Sequence, residues 1–95
     1  MSGYLCRAHG CLHFVQRTEI LCASHWALVP TEMQRAVMAT EHPARFPHKP
    51  ISLAWRLASM DALAHVAMLE GYESVVKYLR EQAASLRSRD REAER

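Results

Sequence analysis

The chain has 95 residues, half of them apolar, a net charge of +2 and three cysteines. A domain this small has a large surface for its volume, so an apolar core alone gives marginal stability. Acidic and basic residues are interleaved, which argues against the concentrated positive surface of a nucleic-acid-binding protein. No segment resembles a signal peptide or a membrane span, so the sequence predicts a cytoplasmic protein with no membrane partner.

Residues 1–30 contain a cluster of metal-binding residue types with the spacing Cys6-x4-Cys11-x10-Cys22-x2-His25. Two local pairs of ligands can close a tetrahedral shell with little ordering of the chain, and a four-ligand protein shell leaves no position for a substrate water. Gly10 allows a tight turn between the first two cysteines. The sequence therefore predicts one structural zinc ion per chain, bound by Cys6, Cys11, Cys22 and His25.

The fold expected around this ion is a treble-clef-like module, made of a knuckle and a short β-hairpin that leads into a helix. We predict the hairpin between Cys11 and Cys22, with its turn near Gln16 to Thr18. His9 is an alternative fourth ligand, although the Cys-x2-His spacing favours His25. A second alternative is that the cysteines are small buried residues without a metal.

The rest of the chain is predicted to be helical. A first helix over residues 31–41 begins with Thr31 as its cap and Gln34 three residues later, as in a capping box. Residues 42–50 contain three prolines and are predicted to form a linker.

Residues 51–88 have the pattern of two helices that pack as an antiparallel pair. Ser52 can cap the first of them, and Gly71 ends it. The second helix carries a narrow apolar stripe, and residues 89–95 are expected to fray. The predicted fold is therefore mainly α, a single domain with a zinc module and about three helices. The residues expected to be buried between the paired helices are Leu57, Met60, Val76 and Leu79.

Two segments resemble a group of small phage and prophage proteins. These are Cys6-Arg7-Ala8-His9-Gly10-Cys11 and the later run Leu21-Cys22-Ala23-Ser24-His25-Trp26. The pattern of the group is a cysteine pair, then Leu-Cys-x-x-His-Trp and a helix that starts at proline. The resemblance implies zinc binding by the four residues named above and a bacteriophage or prophage origin. It implies no activity.

Three classes of function compete. An enzyme would need an open metal position or an acid–base pair, and a His-Asn-His nuclease would need an asparagine, which the chain lacks. A zinc-finger nucleic-acid-binding protein is the alternative, with Arg7, Arg17 and Arg35 as candidate phosphate contacts. We expect a non-enzymatic module that binds and modulates a host or phage protein, and self-association into a homo-oligomer stays open.

Overall fold

The computed structural model describes residues 4–16, 19–40 and 52–93. In chain order these form β1 (Tyr4–Leu5), β2 (Phe14–Val15), α1 (Ala23–Trp26), α2 (Thr31–Ala39), α3 (Leu53–Leu69) and α4 (Glu73–Ala93). The predicted mainly helical fold, with a small hairpin at its N-terminus and a packed pair of long helices, is confirmed. The proline-rich linker predicted at 42–50 lies outside the described residues.

The short hairpin consists of β1 and β2, which are antiparallel and pair Tyr4 with Val15 and Leu5 with Phe14. The prediction of a hairpin between Cys11 and Cys22 is wrong in its pairing, because β2 pairs with the residues before the knuckle. The chain does turn after β2, where the backbone N–H of Glu19 donates to the Gln16 carbonyl at 3.0 Å. After this turn the Ile20 carbonyl accepts from the Arg7 N–H at 2.9 Å, and Ile20 and Leu21 are buried in the core.

The start of α2 also differs from the prediction. Pro30 occupies the N-cap position and Thr31 is the first helical residue, so the proposed capping box is wrong. The Gln34 side chain instead donates to the backbone carbonyl of Trp26 at 2.8 Å. The same carbonyl, at the end of α1, also accepts from the backbone N–H of Val29 at 3.1 Å. Gln34 therefore joins α2 to the metal-binding segment.

The two long helices begin and turn as predicted. The Ser52 hydroxyl accepts a hydrogen bond from the backbone N–H of Trp55 at the start of α3. Gly71 ends the helix in a left-handed conformation with φ +83°, and the N–H of Tyr72 donates back to the Ala67 carbonyl at 2.9 Å. This tight turn makes α3 and α4 antiparallel neighbours. The helix α4 extends to Ala93, and the expected fraying of residues 89–95 stays a prediction.

Small side chains fill the centre of the interface between α3 and α4. Ala64 and Ala67 of α3 and Val76 and Ala83 of α4 are buried, whereas Ala62 belongs to the cluster that α3 forms with the N-terminal segment. Four residues were predicted to be buried between the paired helices. Val76 is buried, whereas the three larger ones are half-buried: Leu57, Met60 and Leu79. Alanines on both helices allow α3 and α4 to approach closely.

The metal-binding segment and the helices share one apolar core. Trp55, Ala62 and Val66 of α3 pack in the same buried cluster as Leu21 and Val29 of the N-terminal segment. Trp26 is half-buried against this cluster. The position of α3 is therefore fixed relative to the candidate metal site. Within the described ranges, no helix is both long and apolar enough to cross a membrane.

Candidate metal centre

Three short segments of the N-terminal region place the four candidate ligands. Cys6 directly follows β1, and its backbone N–H donates to the His13 carbonyl at 2.9 Å. A β-turn then leads to Cys11, closed by a bond from its N–H to the Ala8 carbonyl at 3.1 Å. Gly10 occupies the third position of this turn with φ +76°, a conformation that favours glycine.

The second pair of ligands lies at the start of α1. Cys22 occupies the N-cap position of this helix, and His25 lies within it. Residues three apart in a helical turn are close neighbours, so the two side chains converge. The distance from the Cys22 Sγ to the His25 Nδ1 is 3.2 Å.

The four donor atoms form one group with the dimensions of a tetrahedral metal shell. They all lie within 4.8 Å of one another. An ion with zinc–ligand bond lengths places two sulfurs about 3.8 Å apart, and a sulfur and a nitrogen about 3.6 Å apart. The Cys11 and Cys22 sulfurs are 3.9 Å apart, and the Cys6 Sγ is 3.5 Å from the His25 Nδ1. Cys6, Cys11, Cys22 and His25 therefore lie close enough to bind a single metal ion.

Glu70 contacts the outer side of the His25 ring. Its Oε2 lies 3.1 Å from the Nε2 of His25, while Nδ1 of the same ring faces the sulfurs. A hydrogen bond of this kind assigns the proton to Nε2 and leaves the Nδ1 lone pair directed at the ligand group. Carboxylates that orient metal-binding histidines in this way are a common outer layer of such sites. Glu70 caps the C-terminus of α3, so it connects the helical pair to the metal site.

The two buried cysteines have thiols of different acidity. The backbone amide of His25 is the main cause of a Cys22 pKa that is lowered to about 6. Burial raises the pKa of the Cys6 thiol to about 11. Burial alone would lower the pKa of His25, but contacts with Cys22 and Glu70 outweigh it and raise the pKa overall. Cys22 is thus ready to bind a metal as a thiolate at neutral pH, whereas Cys6 must first lose its proton.

The remaining histidines of this segment lie outside the four-residue group. The His9 ring contacts the edge of Tyr72, with the ring centres 4.8 Å apart. His25, and not His9, therefore lies with the cysteines. His13 is exposed, and its Nδ1 lies 3.3 Å from the Cys11 Sγ, where it can donate to a thiolate.

Sequence reasoning did not identify Glu70 or the contact of His13 with Cys11. Glu70 is 45 residues from His25 and precedes the glycine that ends α3, where it looks like an ordinary exposed acidic residue. No local pattern could have identified it, because its role depends on how α3 packs. His13 follows Cys11 by two residues, and that spacing was a usable signal for a contact.

Comparison with known protein families, with curated proteins and with solved structures gives no match. The resemblance to phage proteins therefore stays a prediction.

Proposed function

We propose that this protein is a small, non-enzymatic, cytoplasmic protein, stabilised by one structural zinc ion, that binds and modulates a host or phage protein. Three thiolates and one imidazole in a tetrahedral arrangement are typical of structural zinc. All four donors lie within 4.8 Å, which matches a single ion better than a cluster of several metals. Four protein ligands leave no position for a substrate, which supports a structural role.

Elemental analysis tests the identity of the metal. Protein purified under reducing conditions without a chelator should contain about one zinc per chain, in accord with a four-ligand shell. Cobalt substitution should give the absorption spectrum of a tetrahedral ion with thiolate ligands. Less than half an equivalent of zinc, or stoichiometric iron in its place, contradicts the proposal.

The proposal of a protein partner rests on the outward face of the hairpin. Leu5 and Phe14 are directly paired across the two strands, so their side chains point to the same face. Leu12 precedes Phe14 by two residues, the spacing that returns to the same side of an extended chain. Phe14 is 74% exposed and Leu12 is 79% exposed. Contiguous exposed apolar side chains are typical of protein-binding surfaces.

The charges of α4 favour a protein over nucleic acid. Lys77 and Arg80 line the same surface cavity as Glu73 and Glu81. Nucleic-acid affinity depends on several cations that neutralise phosphates together, and neighbouring carboxylates oppose that. A mixed, solvated helix face accounts for this surface without a ligand.

Affinity capture with matched variants tests the proposed surface. Zinc-loaded protein is used to capture partners from a bacterial lysate treated with nuclease. Phe14→Ser and Leu12→Ser should each lose the captured protein, because they remove exposed apolar area. Met38→Ser is the control, since Met38 is also exposed but lies on α2.

Three outcomes contradict the proposal in different ways. Capture that is unchanged in both hairpin variants rejects the hairpin as the binding surface. A partner that disappears with nuclease treatment indicates the alternative, a nucleic-acid-binding protein. Sedimentation equilibrium that gives a dimer in wild type and a monomer in Phe14→Ser shows that the hairpin binds a second copy of this chain.

A further inference from the structure

A cavity of about 340 Å³ lies between the knuckle and the first two turns of α4. Its polar side chains are Arg7, His9, Ser74 and Tyr78. A guanidinium only donates hydrogen bonds, and an imidazole and two hydroxyls can each donate one. The polar part of the cavity is therefore able to bind a group that accepts hydrogen bonds.

The remaining lining is apolar. Leu63 of α3 and Val75 and Leu79 of α4 are half-buried and contribute to the same cavity. Binding sites for small groups typically combine such an apolar surface with a few polar groups that fix orientation. The composition of the cavity thus fits a ligand with one anionic group next to an apolar one.

Two aromatic rings lie against the basic residues of the cavity. The Arg7 guanidinium lies over the Trp55 ring, 5.7 Å from its centre. The His9 ring meets Tyr72 edge-on at 4.8 Å, with an angle of 67° between the planes. Cation–π and edge-to-face contacts reduce the freedom of both side chains before any ligand arrives. Less ordering is then needed on binding, which favours affinity.

The acidic side chains of the first turns of α4 line a different cavity. Glu73 and Glu81 lie with Met68 in a second cavity. Among the described residues, no carboxylate lines the cavity that contains Arg7. Arg7 therefore gives this cavity a positive lining, whereas the second cavity mixes both signs of charge.

We propose that this cavity binds an acidic side chain of the partner protein, whose carboxylate meets Arg7, His9, Ser74 and Tyr78 while an adjacent apolar side chain covers Leu63, Val75 and Leu79. A single arginine and one histidine suit one anionic group. Nucleic acid presents many phosphates in a row and needs correspondingly many cations. The inference rests on the proposed class of partner, a protein, and adds the chemistry of the segment that is recognised.

The test is a titration of the zinc-loaded, isotope-labelled full chain followed by amide NMR shifts. The probe is the peptide Gly-Leu-Glu-Gly, acetylated and amidated so that glutamate carries its only charge. The matched probe is Gly-Leu-Gln-Gly with the same blocked ends. Saturable shifts should appear at the cavity residues with the glutamate peptide, and the glutamine peptide should bind about tenfold more weakly because it lacks the charge-assisted bonds.

Variants locate the contact. Arg7→Gln should weaken binding of the glutamate peptide about tenfold and leave the glutamine peptide unchanged. Tyr78→Phe removes only a hydroxyl and should weaken binding less. Arg80→Gln is the control, since Arg80 lines the other cavity of α4. Zinc content and melting temperature of each variant show whether the fold is retained.

Equal binding of the two peptides, or shifts that do not saturate, overturns the inference. Tighter binding of a short oligothymidylate at the same residues overturns it in favour of a nucleic acid. The peptide titration does not depend on the hairpin, so Phe14→Ser should bind the glutamate peptide normally. If the hairpin captures a protein but the chain does not bind the peptide, only the proposed role of the cavity is rejected. Peptide binding without any captured protein rejects the hairpin surface alone.

Discussion

The contact between Glu70 and His25 predicts that a residue outside the four ligands controls metal affinity. Replacing Glu70 with alanine removes the acceptor of the Nε2 proton, 3.1 Å away. The imidazole then loses its fixed orientation, and its Nδ1 becomes a weaker ligand. Because this side-chain contact joins the end of α3 to His25, the same substitution also loosens the connection between the helical pair and the metal site.

The size of the effect follows from the burial of the two groups. Loss of such an outer partner costs about tenfold to 100-fold in metal affinity, or about 1.4 to 2.7 kcal/mol. The His25 side chain is 16% exposed and the Glu70 side chain 31% exposed, so water partly screens the interaction. We therefore expect a loss near tenfold for Glu70→Ala. Glu70→Gln keeps an acceptor without the charge and should lose less.

Competition with a chromophoric chelator measures this loss. Zinc-loaded wild type, Glu70→Ala and Glu70→Gln are titrated under reducing conditions at pH 7.5, and the apparent affinities are compared. Glu81→Gln is the matched control, because Glu81 is an exposed glutamate of α4 away from His25. Equal affinity in wild type and Glu70→Ala refutes the reasoning. An equal loss in Glu81→Gln attributes the effect to net charge instead of the hydrogen bond.

Three further predictions concern the ligands, the helical pair and pH. His25→Ala should lose tight zinc binding while His9→Ala keeps it, since only His25 lies with the cysteines; elemental analysis showing the reverse makes His9 the ligand. Val76→Asp places a carboxylate at a buried position of α4 and should lower the free energy of unfolding by about 3 kcal/mol or more. Leu69→Asp, at an exposed position, should lower it far less. Equal denaturant midpoints for the two variants disprove the packing. Zinc should displace a proton from Cys6, because the pKa of its thiol is raised to about 11. Zinc affinity should therefore fall about tenfold per pH unit for each displaced proton as the pH falls. Zinc uptake without proton release, followed with an indicator dye, excludes this proton displacement.

Local features of the sequence determined much of the fold. The cysteines and His25 occur in two close pairs, so convergence within each pair needs only a tight turn at Gly10 and one helical turn at α1. Ser52 and Gly71 mark the ends of α3 because each acts on backbone groups within a few residues. These interactions are local, so the sequence is sufficient to predict them.

Contacts between distant segments were decided by the tertiary structure. β2 pairs with β1, while Ile20 and Leu21 beyond the turn are buried in one cluster with Trp55 and Val66 of α3. The contact of Glu70 with His25 spans 45 residues and exists only because α3 packs against the metal-binding segment. Spacing along the chain carries no information about such pairs, since their proximity results from the shared core and not from local geometry.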